Sequence, residues 1–260
     1  MGGRGARSGG AGGGGGGGGL GGGPLLGGGG IGAQAPPQVV PGQPVPAVTM
    51  QQLQSMTGQE FADYLNGLKS TPIDPNIYYN HDWDTQRLIA NMPELNKAPQ
   101  VVDAKTFASL PGESLYRTVN ASGADSAVDV CARTMMSDVT TIGGGVIGDG
   151  FYFANSKSVS QVGYGNTKNN INKTATMVAK LNGNARVVTN TQLTSMLSQE
   201  PQSVRTAISR TNGGWGGTNS GMMSYALYKG YNVVSNSGGS VLNIIDRSAV
   251  TWSGDVIPYR

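Results

Sequence analysis

The stretch Gly148-Asp149-Gly150-Phe151-Tyr152-Phe153-Ala154 carries the sharpest local signal in this chain: glycines flank a turn that leads directly into an aromatic strand. Glycine lets a ligand or a second strand sit against the main chain, and Tyr152 then offers a flat apolar face with a polar tip. On local chemistry alone such a turn reads first as a hairpin or a bulge.

Outward from this strand the pattern alternates irregularly between two periods. Short β-prone runs occur at Val101-Val102, Leu115 to Val119, Thr176 to Leu181, Arg186 to Val188, Asn232 to Val234 and Val241 to Asp246. Helical spacing fits Ser126 to Met136, Gln192 to Leu197, Pro201 to Ser209 and Gly221 to Lys229. These strands are too unevenly spaced for a doubly wound parallel sheet, so the sequence predicts an α+β domain over residues 101–260. Ahead of it, Leu53, Met56, Phe61, Tyr64, Leu65 and Leu68 fall near one helical face, broken at Thr57-Gly58, which predicts two short helices in an extension over 49–100. A further helix is expected over Asp84 to Ala90, capped by Asp82 or Asp84.

Residues 1–48 read differently. Of the 260 residues 43 are glycine, and 21 of these crowd into the first forty positions, where too few apolar side chains stand to offset the entropy of ordering them. Pro36, Pro37, Pro41, Pro44 and Pro46 then stiffen the chain toward polyproline geometry, so 1–48 is expected to be a disordered Gly- and Pro-rich tether. The remaining length suits one domain with an extension.

Several classes are disfavoured. The net charge of +3 is modest, and Gly3-Arg4-Gly5 supports at most a weak, salt-sensitive attraction of the tail to nucleic acid. One cysteine, Cys131, and one histidine, His81, cannot build a disulfide framework or a Cys/His zinc site, so no metal is expected. Cys131 lies among Val128, Val130 and Met135 as a small hydrophobe, and His81 reads as structural. Gly143-Gly144-Gly145 lacks the lysine of a phosphate-binding loop. No membrane span or secretory signal is expected, and Ala6 does not fit a myristoylation signal.

The Gly148–Ala154 stretch resembles the glycine-x-glycine-x-tyrosine-phenylalanine-alanine segment of the poly(ADP-ribose) polymerase and diphtheria-toxin branch of the ADP-ribosyltransferases. In that branch a serine and a second tyrosine follow about one helical stretch later; Ser160 and Tyr164 stand in nearly that arrangement, with the tyrosine one residue farther along. Leu115-Tyr116-Arg117-Thr118 resembles the arginine-bearing first strand of the toxin branch. From Asp82 to Thr251 the chain also looks like phage and prophage proteins that carry this domain, often encoded near minor head components, and the ending Ile245 to Val250 belongs to that pattern.

The resemblance implies a split β-sandwich with a cleft, holding NAD as substrate. Arg117 would grip the phosphates, a task that suits its planar, permanently charged fork. Gly148 and Gly150 would let the cofactor approach, Tyr152 and Tyr164 would sandwich the nicotinamide ring, and Ser160 would hydrogen-bond its carboxamide. The family glutamate on a late strand is missing: Ser237-Gly238-Gly239-Ser240-Val241 occupies its place. Asp246 and Asp149 are the nearest carboxylates, Asp246 being the candidate catalytic acid or else a strand-end residue.

The implied activity is that of a phage-encoded mono-ADP-ribosyltransferase acting on a protein acceptor of host or phage. It would work in the host cytoplasm or the virion. The alternative is a catalytically inactive protein of the same fold, a structural or interaction component among phage head proteins, which the missing glutamate and the tether favour.

Overall fold

The computed structural model describes residues 35–70, 87–88, 90–120, 126–136, 150–164, 174–209 and 221–258. The glycine tract, Gly148, Asp149, His81 and the expected caps Asp82 and Asp84 lie outside them, as does the side chain of Tyr164.

Two helices open the described chain, α1 (Met50–Ser55) and α2 (Gly58–Leu68). Each starts with a reciprocal capping box: the Thr49 hydroxyl accepts from the backbone of Gln52 while the Gln52 side chain accepts from Thr49, and Thr57 and Glu60 repeat the exchange. Tandem boxes explain the break at Thr57-Gly58, because the second N-cap needs extended backbone where a continuous helix would need αR. Phe61, Ala62, Tyr64, Leu65 and Leu68 form the buried stripe of α2.

A 3₁₀ turn (Pro93–Asn96), β1 (Gln100–Val101), α3 (Ala104–Ser109) and β2 (Leu115–Asn120) follow, then α4 (Ala127–Met136), β3 (Phe151–Ala154), α5 (Lys157–Tyr164) and β4 (Thr174–Leu181). The remainder is β5 (Val187–Thr189), α6 (Asn190–Ser198), α7 (Gln202–Ser209), α8 (Gly221–Tyr228), β6 (Val233–Ser235), β7 (Val241–Ile244), a 3₁₀ turn (Arg247–Ala249) and β8 (Val250–Pro258). The α+β plan holds, with helices packed on a mixed, largely antiparallel sheet.

All described strands join in one eight-stranded sheet, ordered β1-β8-β4-β2-β3-β7-β6-β5. This differs from the expected pair of facing sheets, and the reason lies at the middle. β2 pairs with β4 along its whole length, from Leu115↔Ala179 to Asn120↔Thr174, yet meets β3 at the single register pair Tyr116↔Ala154. The sheet is therefore two four-stranded halves joined by one pair, and beyond Tyr116 the two strands fork.

Strand alternation assigns the cores. In β3, Phe151 and Phe153 pack with Cys131, Met135, Met177 and Trp252 on one face, while Tyr152 packs on the other with α2, α7 and α8. All four β3 residues are buried, which explains why this strand reads as a continuous apolar run.

The structure places no boundary at residue 100, and the folded part begins before 48. Ala33–Arg260 is one compact unit, and α1 and α2 share a core with α6, α7 and α8. Val45 and Val48 are buried in that core, Val39 packs against it, and the Tyr64 hydroxyl donates to the Pro46 carbonyl at 3.0 Å. Proline content does favour extended backbone over 35–48, but the valines between the prolines supply apolar area that docks it. Gly67 accommodates this docking: a Cβ there would lie 2.7 Å from Val39 Cγ1. Among the described residues, no helix is long and apolar enough to cross a membrane.

The Phe61 ring stacks on Tyr228 at 4.1 Å and 6°, and the Tyr228 hydroxyl donates to the Met56 carbonyl, tying the N-terminal helices to α8. Phe61→Ala is expected to cost about 3–5 kcal/mol by loss of buried area and creation of a cavity, checked by urea unfolding. A cost below about 1 kcal/mol would show that α2 is a separable extension.

Candidate functional site

The fork between β2 and β3 gathers most of the residues singled out in the sequence. Arg117, the first residue of β2 past the register pair, donates through one guanidinium nitrogen to the Tyr152 carbonyl at 3.1 Å, bridging the strands where the ladder stops. Its guanidinium lies 5.6 Å from the centre of the Phe151 ring, and Arg247 lies 5.4 Å from the same ring. Arg247 is 1 % exposed and donates to the Met135 carbonyl at 3.1 Å. Two guanidiniums thus crowd one aromatic ring at the root of the fork.

The opposite face is neutral and hydroxyl-rich. After β3 the chain turns at Ser156, whose side chain accepts from Val159 and so caps α5. One turn into that helix, Ser160 reaches back to β2, its Oγ 2.9 Å from Thr118 Oγ1, which in turn lies 3.0 Å from Thr176 Oγ1 on β4. Tyr152 is 1 % exposed and Ser160 fully buried.

Ser160, Thr118 and Tyr152 therefore belong to one face of the fork and the Arg117 guanidinium to the other, because Arg117 alternates with Thr118 along β2. The structure brings Arg117 to the main chain of Tyr152 and not to its ring. Tyr164 ends α5, the helix that carries Ser160.

Gly150 is fixed as glycine by packing. A Cβ there would fall 1.7 Å from Oδ1 of Asn243, the register partner of Tyr152 on β7, whose amide in turn contacts the Met223 sulfur at 3.0 Å. The close approach expected of this glycine is thus made by the Asn243 side chain.

Asp246 lies elsewhere. Its carboxylate accepts from the Ser248 backbone at 2.9 Å and the Ser248 hydroxyl at 2.8 Å, capping the 3₁₀ turn that leads into β8. It lines a cleft of about 310 Å³ with Glu94, Lys97, Asn184, Arg186 and Asn232, a wall that includes neither Arg117 nor Tyr152 nor Ser160. The Ser237–Val241 stretch, where the resemblance places the acid, lies at the closed end of the fork, beyond Ala154: the Asn155 amide donates to the Ser240 carbonyl, and Val241 pairs with Ala154. Gly239, at φ +67°, makes this turn, and no carboxylate stands in it.

Cys131 is buried beside the fork's arginine face, and burial pushes its thiol up to about 12 against the opposing pull of the Arg117 charge. A thiol of that pKa is a poor nucleophile at neutral pH.

Thr118, Thr176, Asn243 and Arg247 were not visible as site residues in the sequence. Thr118 had one usable signal, its place beside Arg117 in a strand, which sends it to the opposite face; the other three depend on long-range register.

Comparison with known proteins finds no matching family model, no matching curated protein and no matching solved structure.

Two outcomes follow from this geometry. Gly150→Ala should lower stability by about 1–3 kcal/mol through overpacking, with part of the loss recovered in the Gly150→Ala, Asn243→Ala double variant, as read from denaturant midpoints. Cys131 should react with a thiol reagent at pH 8 about three orders of magnitude more slowly in the native chain than in denaturant, since burial cuts both thiolate fraction and access. Similar rates in the two states would refute the buried placement.

Proposed function

We propose that this chain is an NAD-binding protein of the ADP-ribosyltransferase type whose cofactor straddles the β2–β3 fork. The observation that supports the reading most is the single-pair junction of the two half-sheets, with Ser160 and Tyr152 on one side of it and Arg117 on the other. The nicotinamide ring sits on the Tyr152 face with its carboxamide at Ser160, and the diphosphate runs toward the Arg117 guanidinium, whose charge persists at every relevant pH. Because Tyr152 and Ser160 are buried, ring entry requires β2 and β3 to part further beyond Tyr116.

The reaction is transfer of the ADP-ribosyl group to a protein acceptor of host or phage. The bond from ribose to the nicotinamide nitrogen breaks, nicotinamide leaves with the bonding electron pair, and an acceptor side chain forms a new bond to the same ribose carbon. Arg117 offsets the negative charge of the diphosphate, and the Tyr152 face holds the leaving ring in the orientation for departure.

One observation favours a second reading, a catalytically inactive protein of this fold with a structural or interaction role in a phage particle. No carboxylate stands in the Ser237–Val241 turn, and Asp246 is occupied in capping a different part of the sheet, so the usual stabilisation of a cationic ribose lacks its acid.

The purified full chain, incubated with labelled NAD and host lysate, should transfer label to protein, and Arg117→Ala should reduce the transfer about a hundredfold. NAD binding by calorimetry without transfer would support the inactive reading. Neither binding nor transfer would reject the NAD pocket. The inactive reading further expects sedimentation with intact particles and is refuted by a wholly particle-free pool.

A further inference from the structure

The cleft of about 310 Å³ that Asp246 lines forms where three segments far apart in sequence meet. Glu94 comes from the 3₁₀ turn at Pro93–Asn96 and Lys97 from just beyond it, Arg186 from the link between β4 and β5, and Asp246 from the link between β7 and β8. Two carboxylates and two cations thus line one space, and their charges cancel. A simple anion or a simple cation gains little there, because each favourable charge is matched by an unfavourable one.

The opposite charges are also kept from pairing with each other. Among the described residues no ion pair joins any of the four. Each acid is engaged locally instead: Asp246 accepts from the Ser248 amide and hydroxyl, and Glu94 accepts from the Met50 amide. Asn232, itself buried, fixes the floor. Its side-chain oxygen accepts from the Arg186 amide at 2.7 Å, and its side-chain nitrogen donates to the Asn184 carbonyl at 3.0 Å and reaches the Asp246 carboxylate at 3.5 Å. The charges are ordered by depth: Asp246 is 8 % exposed, whereas Lys97 and Arg186 are exposed. A carboxylate withdrawn from water without a counter-ion is costly, and three bonds do not fill its capacity of about four. At the mouth, the Lys97 and Arg186 side chains have no acceptor among the described residues.

We infer that this cleft binds a free α-amino acid, its ammonium on Asp246 at the floor and its carboxylate on Arg186 and Lys97 at the mouth. An α-amino acid carries both charges on one carbon, so it joins opposite charges that share a small space but do not meet. The volume lies at the lower end of the range of about 300–1,000 Å³ for small-ligand sites, which suits a ligand of this size. The cleft shares none of Arg117, Tyr152 and Ser160 with the fork, so the inference stands apart from the NAD reading.

The test is calorimetric titration of the full chain with L-serine, L-leucine, L-glutamate and L-lysine, which share the head group and differ in side chain. At least one is expected to bind with a Kd below about 1 mM. The N-acetyl derivative of that amino acid, which lacks the ammonium, and its amide, which lacks the carboxylate, should each bind at least about tenfold more weakly, the scale of one charge-assisted hydrogen bond. Arg186→Gln and Lys97→Gln are exposed substitutions that should leave the denaturant midpoint in place. Each is expected to weaken the amino acid about five- to tenfold and to change binding of its amide little. Asp246→Asn should weaken the amino acid and its amide alike, since both keep the ammonium. If Asp246→Asn does not fold, the Arg186→Gln, Lys97→Gln double variant decides alone. Binding of none of the four amino acids, equal binding of the charge-deleted derivatives, or unaltered affinity in the double variant overturns the inference.

Discussion

The whole sheet hangs on β3. Four consecutive residues, Phe151 to Ala154, are buried on both faces, and their alternation divides the side chains between two cores: the phenylalanines toward α4 and Tyr152 toward the helices on the other side. The strand is held along its full length by β7 and by one register pair to β2. That imbalance produces the fork, because on the β2 side the ladder ends at Tyr116 and the Arg117 guanidinium takes over the Tyr152 carbonyl. There a side chain, bonded to the carbonyl at 3.1 Å, stands in place of the backbone ladder. The fork, the two half-sheets and the separation of a charged from a hydroxyl-rich face all follow from it.

Charge placement is consistent with this division. The arginine face is built from Arg117 and Arg247 around Phe151, where the ring's negative faces and backbone carbonyls receive the guanidinium donors. The opposite face carries the Ser160, Thr118 and Thr176 hydroxyls, bonded to one another, and the Asn243 amide. The turn Ser237-Gly238-Gly239-Ser240, at the Ala154 end of β3, carries no carboxylate.

Local signals were legible wherever a short-range rule governs. Helical spacing in α2 and α4 and β-branched runs in β2, β4 and β6 fall close to where the sequence predicts them. Less legible were short elements whose stability is borrowed: α3 buries no residue, and α5 gains its place from Ser160 reaching β2. The strand β8 was hidden because Gly254, at φ +80°, and the polar Ser253 and Asp255 interrupt its apolar pattern, while its pairing to β4 supplies what the pattern lacks. The docking of the proline-rich segment was not legible for a related reason. Composition measures the cost of ordering a chain but not the groove that Val39, Val45 and Val48 find against α2.

By itself the sequence determined the α+β class, the glycine turn into an aromatic strand, the tandem helices and the absence of an acid between Asn236 and Leu242. These depend on periodicity, capping and residue identity, which act over a few positions. Tertiary structure alone decided that the strands join in one sheet and that Arg117 and Tyr152 present opposite faces. It also decided that Gly150 makes room for Asn243, that Ser160 meets Thr118 and Thr176, and that Asp246 caps a distant turn. Each of these joins residues far apart in sequence, and only strand register, fixed by which faces can be buried together, brings them within hydrogen-bonding distance.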